Sequence, residues 1–407
     1  MNTSLFIAKR LYNAKENNNN YTRPIIRIAI SAIALSVAIM ILSVFVLSGF
    51  KSDISNKVFG FGGHINISKF SFNQSYENDP INYNTEMSSE IESMDFVNYI
   101  QAYATKAGII KNNNEILGVV LKGVDQDYNW SFFYENLISG DTPSFNDSIA
   151  KNSILISQNI SKKMKLNVGD DMLIYFMEQP TRVRKFIVSG IYKTGLSEFD
   201  DITAIGDLKH IQKLNNWDIN QIGGYEISVA NFKNIEKHTS LIDESIDYDL
   251  KALSIKQKYP QIFDWLRLQD FNVLIILILM LIVGGVNMIT SLLIIILEKS
   301  KLIGLLKAIG ATNWNIRHVF IYNSLQIILS GLFWGNLIAI SLSLLQSRFH
   351  FIKLDEEIYF MDFVPIKIEL FSLLMINIGT IVICYVILVI PSVVIAKISP
   401  AKSIKFE

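Results

Sequence analysis

Four apolar runs constrain this chain more than any other feature: Ile25–Phe50, Val273–Leu297, Val319–Leu345 and Leu370–Ala396. Each supplies the ~20 apolar residues with which a helix crosses the ~30 Å hydrocarbon core of a bilayer. None holds an acidic or basic side chain in its interior, with Arg27 counted as the edge of the first. Half of the chain is hydrophobic and 18% is charged, below the share of about a quarter usual in soluble domains. The 37 Lys and Arg balance 37 Asp and Glu, so no basic surplus points to nucleic acid. A single cysteine, Cys384, excludes a disulfide framework. The first run is too long for a signal-peptide core, and no Ala-x-Ala site follows it, so it reads as an uncleaved anchor.

Orientation follows from Lys and Arg in the short flanks. Residues 1–27 carry five, the loop 298–318 four and the tail 397–407 three, against three acids in the same segments. The loop 347–369 has three basic residues and five acids. Both termini and the loop 298–318 are therefore expected in the cytoplasm. The expected organisation is a cytoplasmic stretch 1–24, a first span 25–50, an outside domain 51–269, a second span 270–297, the inner loop 298–318, a third span 319–346, an outer loop 347–369, a fourth span 370–396 and the tail 397–407. Leu5, Ala8, Leu11 and Tyr12 share one helical face and predict a short interfacial helix. Asn17–Asn20 reads as a polar linker.

The outside domain has ordinary globular composition. Strand-like runs recur at Ile65–Ile67, Ile116–Lys122, Ile154–Ile156, Met172–Phe176, Arg184–Ile191 and Tyr225–Val229. Helical patterns occur near Thr85–Ser93, Asn159–Leu166, Gly206–Leu214 and Lys233–Tyr248. The mixture predicts a large α+β domain between the first two spans, with 71–84 as a polar loop. No histidine has a second His or Cys at metal-ligand spacing. No Gly-x-Ser-x-Gly elbow and no Gly-x-x-x-x-Gly-Lys-Ser/Thr phosphate loop is present. Glu198, Asp200 and Asp201 read as a solvated turn. Any energy that drives this chain is expected to come from a partner.

The most informative segment is the inner loop, Leu297-Glu-Lys-Ser-Lys-Leu-Ile-Gly-Leu-Leu-Lys-Ala-Ile-Gly-Ala-Thr312. Leu302, Leu305, Leu306 and Ile309 fall at i, i+3, i+4 and i+7, the spacing of an amphipathic helix. Lys299, Lys301 and Lys307 lie off that stripe, and Gly310 stops the helix. A helix lying on the membrane surface has the same pattern. Within the spans, Asn287, Thr290 and Ser291 are polar. They read either as the lining of a central cavity or, the favoured reading, as interhelical hydrogen bonds. Gly331 and Gly335 make a small-x-x-x-small pattern for close helix packing. Cys384 reads as a small hydrophobe, and Trp314 as an aromatic anchor at the interface.

The run Glu298-Lys-x-x-x-Ile303-Gly304-x-Leu306-Lys307-Ala-Ile309-Gly310-Ala after a second span resembles the coupling helix of FtsX/MacB-type ABC permeases. The tail from Ile390-Pro through Pro400-Ala to Lys405 is similar to the end of that superfamily, with Lys397 and Lys405 where Arg is usual. Phe186–Asp200, Ile154–Ser157 with Val168–Asp171, Leu121–Asp125, Phe263–Leu268, Ile282–Ile289 and Leu354–Pro365 narrow the resemblance to lipoprotein-releasing, Lol-type permeases. It covers nearly the whole chain apart from 70–110.

The resemblance implies a permease without catalytic residues or bound cofactors, whose ATP and Mg are held by a separate cytoplasmic ABC ATPase. It implies pairing with a second copy or a related sister permease, in the inner membrane. It further implies a lipoprotein substrate drawn from the membrane lipid and handed to a periplasmic carrier. FtsX/MacB-type permeases that act on a periplasmic partner, peptide or drug share the same topology. The implied coupling surface comprises Glu298, Lys299, Leu302, Ile303, Gly304, Leu305, Leu306, Lys307, Ile309 and Gly310.

Overall fold

The computed structural model describes residues 22–71, 75–112, 115–145, 150–355, 359 and 361–392. The expected helix at Leu5–Tyr12, the Asn17–Asn20 linker and the tail from Ala396 onward lie outside the described residues. The helices are α1 (Thr22–Gly62), α2 (Thr85–Glu92), α3 (Ser131–Glu135), α4 (Gln158–Met164), α5 (Ser197–Asp200), α6 (Leu208–Asn215), α7 (Ile235–Ser245), α8 (Ile255–Lys258), α9 (Pro260–Glu298), α10 (Ser300–Ala308), α11 (Asn313–Phe349) and α12 (Leu370–Ser392). The chain divides into two units, a helical one (1–52, 266–353 and 363–407) and an outer one (53–265 with 354–362).

Among the described residues, four helices are long and apolar enough to cross a membrane. Two of them run far past the apolar stretches read from sequence. α1 has 41 residues and α9 has 39, about 60 Å each at the helical rise, twice the hydrocarbon thickness. The sequence reading began the outside domain at residue 51; the helix instead continues to Gly62. The reason is local. No proline interrupts Lys51–Gly62, and Ile54, Val58 and Phe61 form a buried stripe. The helix stops at Gly63, whose φ of +66° suits glycine and whose N–H bonds the Phe59 carbonyl at 2.8 Å.

In the helical unit α1 and α11 are the more buried spans, and α9 and α12 the more exposed. α11 packs on α1 through its glycines. A β-carbon on Gly331 would stand 2.6 Å from the Ile33 side chain, and one on Gly335 2.8 Å from the Ala34 carbonyl oxygen. Small residues here let the helix backbones approach. Asn336 of α11 and Asn377 of α12 exchange amide hydrogen bonds of 2.7 and 3.0 Å. Lys51 and Asp270 form a 2.6 Å ion pair between α1 and α9. The buried Gln346 amide bonds the Ile352 N–H and the Ile352 and Val364 carbonyls, which fixes the chain after α11.

The outer unit is α+β, as its composition predicts. Its main sheet has ten strands: β1 (Ile65–Lys69), β3 (Val97–Asn112), β4 (Glu115–Val124), β5 (Leu137–Gly140), β6 (Ser153–Ser157), β7 (Asp171–Phe176), β8 (Arg182–Tyr192), β9 (Thr203–Asp207), β11 (Gly224–Val229) and β12 (Leu250–Ser254). β2 (Ile81–Asn82), within the segment expected to be loop, pairs with β10 (Gln221–Ile222). The path runs β12-β1-β11-β3-β4-β9-β6-β8-β5, and β7 joins β8 to the far half of β3. Six strands, β3-β4-β9-β6-β8-β7, thereby close a ring, which leaves them no open edge. The terminal strand β12 is blunted by Asp243 of α7, whose carboxylate accepts the Ala252 N–H at 2.9 Å and pairs Lys251 at 2.7 Å.

Candidate functional site

The inner elbow follows directly on α9. Lys299 breaks the helical geometry (φ −92°, ψ 15°), and α10 runs nine residues beyond it. α10 closes with paired bonds, Gly310 N–H to the Lys307 carbonyl (3.1 Å) and Ala311 N–H to the Leu306 carbonyl (2.9 Å). With Gly310 at φ +93° this is a Schellman ending. Thr312 then caps α11 by accepting the Asn315 N–H.

The apolar stripe of α10 does not act as one face. Ile303 is fully buried in the core of the helical unit, Gly304 is buried, and Leu306 packs against that core. Leu305 is 55% exposed and Ile309 73% exposed, while Leu302 is half-buried. Successive helical residues turn by about 100°, so the stripe is a broad arc whose Leu306 edge, beside Ile303, meets the bundle. Only the other edge is open to a partner. Glu298 and Lys299 approach to 3.8 Å, Lys307 is half-buried and Gly310 exposed. Trp314 is 67% exposed and packs edge-on to His318 at 4.6 Å.

The two hydroxyls of the second span donate within their own helix. The Thr290 hydroxyl donates to the Val286 carbonyl (3.0 Å) and the Ser291 hydroxyl to that of Asn287 (2.8 Å), each four residues back on its own helix. Asn287 is half-buried. For Thr290 and Ser291 the hydroxyl bonds thus differ from the favoured interhelical reading, while Asn336 and Asn377 do bond across helices. A polar residue in an apolar run signals some bond, but its period does not say to which helix.

In the outer unit two of the segments that narrowed the family resemblance, Phe186–Asp200 and Leu354–Pro365, meet. Lys193, at the end of β8, reaches Asp362 of the 354–362 loop at 3.2 Å. Residues 354–362 of the expected outer loop thus belong with the outer unit. Asp200 is 2% exposed and is no solvated turn. Its carboxylate accepts the Thr194 and Gly195 N–H groups at 3.0 Å and the Thr194 hydroxyl at 2.8 Å, which fixes the β8–α5 turn. Asp201 pairs Lys163 at 3.1 Å and accepts from Asn159.

Sequence reasoning also missed a polar cluster at the end of α1. Lys122 on β4 and Glu226 on β11 are both buried and form an ion pair at 2.8 Å. Burial pulls the Lys122 ammonium below its ordinary value, and the Glu226 charge opposes that shift. Among the described residues no group of three His, Cys, Asp or Glu is placed to hold a metal ion.

Comparison with known proteins assigns the chain. The FtsX-like permease C-terminal family matches residues 274–400, and the MacB-like periplasmic core domain family matches 28–236. The lipoprotein-releasing system transmembrane protein LolC of Buchnera aphidicola subsp. Schizaphis graminum (strain Sg) is 26% identical over 377 residues, 88% of each chain. LolE of Haemophilus influenzae, from the same system, is 21% identical over 99% of each chain. Among solved structures, the extracellular domain of the ABC-type transporter YknZ aligns with a TM-score of 0.33 at 14% identity, over 47% of this chain and 99% of that one. With more than half of its length in one match and its last three spans in the other, this chain is a member of the FtsX-like and MacB-like family of ABC transporter permease subunits.

Proposed function

We propose that this chain is the permease of a lipoprotein-releasing ABC transporter. It draws acylated lipoproteins from the outer leaflet of the inner membrane and passes them to a periplasmic carrier. A separate cytoplasmic ATPase supplies the energy, and a second copy or a sister permease completes the membrane part. The likeness to LolC and LolE over nearly the whole chain carries this reading. The chemistry agrees with it. Each buried CH₂ contributes ~0.8 kcal/mol to membrane anchoring, so a multi-acyl protein does not leave a bilayer unaided. The helix α9, which runs without a break from Pro260 to the elbow at Glu298, gives ATP-driven motion a path to the substrate side. The open edge of α10, Leu305 and Ile309, is the contact for the ATPase, in the helix-in-groove mode.

Both termini and the elbow lie in the cytoplasm in this reading, because their flanks hold the excess of Lys and Arg. Cysteines at Tyr248 and Lys301 in a Cys384→Ser background test the orientation; an impermeant thiol reagent on spheroplasts should label the first alone. Depletion followed by lipoprotein fractionation tests the substrate. Lipoproteins destined for the outer membrane should accumulate in the inner one. Normal sorting with a lost peptide or drug export phenotype would instead assign the chain to MacB-type efflux.

A further inference from the structure

The last carbonyls of a helix have no partner within it, and those of α1 end inside the outer unit. The Phe61 carbonyl accepts from the ammonium of Lys122, and the Gly62 carbonyl from the side-chain amide of Asn66 on β1. The remaining donors of Lys122 go to both oxygens of Glu226, each at 2.8 Å. Gln101 on β3 holds Glu226 at 3.1 Å. Asn66, Glu226 and Gln101 stand directly opposite one another across β1, β11 and β3. The Asn66 side-chain oxygen Oδ1 accepts from Lys258 of α8, two residues before Pro260 opens α9. One hydrogen-bonded row thus joins the end of one spanning helix, four strands and the short helix α8, which lies directly before the next spanning helix in the chain.

Around this row lies an aromatic collar. The Phe61 ring stacks on Phe199 at 4.6 Å and meets Phe133 and Tyr192 edge-on. Gly60 leaves space only for the Phe132 ring, which a β-carbon would meet at 2.2 Å. Aromatic packing grips the helix from the side but is weakly directional along its axis. Hydrogen bonds to the two end carbonyls oppose sliding and rotation. A buried ion pair is poor value for stability, since desolvation offsets much of its attraction. Its use here is positional.

We infer that Lys122 and Asn66 form a clasp on the end of α1 that makes both spanning helices move with the sheet, so that Lys122 is a positioning residue for transport. The clasp concerns how the permease function proposed above is coupled, and it rests on that reading.

The test uses the full chain with its ATPase in nanodiscs. Lys122→Met alone would strand a buried carboxylate, so the main variant is Lys122→Met with Glu226→Met, which removes both charges. Amide exchange should quicken about tenfold at Lys57–Gly62 and stay unchanged in β8. Lipoprotein released per ATP hydrolysed should fall about tenfold while hydrolysis continues. Asn66→Ala, which opens only the Gly62 bond, should give an intermediate loss, and it decides the matter if the double variant does not fold. Faster exchange at the helix end with unchanged release per ATP would overturn the coupling role. Lost release with unchanged exchange would overturn the clasp. A wild-type complex that releases no lipoprotein would instead sink the permease reading, and is told apart because no variant is then needed.

Discussion

The inner elbow and the outer neck both terminate spanning helices, yet they are built by opposite means. At the elbow, order is local. A helix, a Schellman turn and an N-cap follow one another within fifteen residues, Ser300 to Trp314, and one edge of α10 is open to solvent or a partner. At the neck, order is long-range. Phe61 is held by residues from β4, α3, β8 and α5, and the row behind it draws on β1, β11 and β3. The difference suits a transmission device. The surface proposed to meet the ATPase is self-contained, and the surface proposed to follow a helix is tied to many strands.

The largest expected effect divides the elbow itself. Ile303→Ala removes a fully buried side chain from the bundle core and should destabilise the helical unit by about 2–5 kcal/mol. Ile309→Ala, on the open edge, should change stability by less than about 0.5 kcal/mol. Chemical unfolding of the full chain in micelles measures both. Ile309→Asp should leave folding intact and reduce co-purification of the ATPase. Equal stability losses at the two positions would mean that α10 has a single buried face, and the contrast drawn for the elbow would collapse.

The same contrast decides what was legible in the sequence. The four spans, the stop at Gly310 and the strands around Ile116–Lys122 and Arg184–Ile191 were readable because each is a pattern within ten to twenty residues. The extension of α1 to Gly62 was also there to be read, in the 4,3 spacing of Ile54, Val58 and Phe61. The long strand β3 was not found, because its Tyr-Ile-Gln-Ala-Tyr-Ala run alternates poorly: both faces are buried along Gln101–Ala104. The clasp had no local signal at all. Lys122 is one lysine in a strand, and its partner Glu226 lies 104 residues away. Asp200 was misread because an acidic cluster looks the same whether it faces water or accepts backbone N–H groups.

The neck should also be sensitive to acid. His64 follows the Gly63 turn, lies 4.2 Å from the Phe59 ring, and accepts the Val229 N–H on Nδ1 at 3.2 Å. Burial lowers its pKa from 6.5 to about 4. The unfolded chain therefore binds a proton at this ring between pH 6.5 and 4 while the folded chain does not, so stability falls as pH drops through that window. Between pH 6.5 and 5 the loss is at most about 2 kcal/mol. Burial lowers His210 and His238 as well, in the same direction. His64→Gln keeps an acceptor for Val229 without a titrating ring. Its unfolding free energy should fall less steeply with acid than that of wild type. Superimposable pH profiles would show that His64 takes up its proton as readily folded as unfolded.

The smallest effect is expected where polar groups meet between spans. Asn336 and Asn377 form the reciprocal amide pair of α11 and α12, and each also donates to the carbonyl four residues back, Leu332 and Leu373. That second bond matters. An amide that loses its partner across the helices keeps one on its own helix, so truncation does not strand it. Hydrogen bonds between spanning helices contribute about 0.6 kcal/mol on average, with ~1.7 kcal/mol near the upper limit. Asn336→Leu should accordingly cost less than about 1 kcal/mol, and Asn336→Leu with Asn377→Leu should cost no more than the single change, since the pair is lost once. Steric trapping or detergent unfolding of the three variants gives the coupling energy. A single-variant loss above ~3 kcal/mol would place this pair in the same class as the Lys122 cluster. The membrane spans would then hold a second fixed point, and rigidity would not be concentrated at the neck.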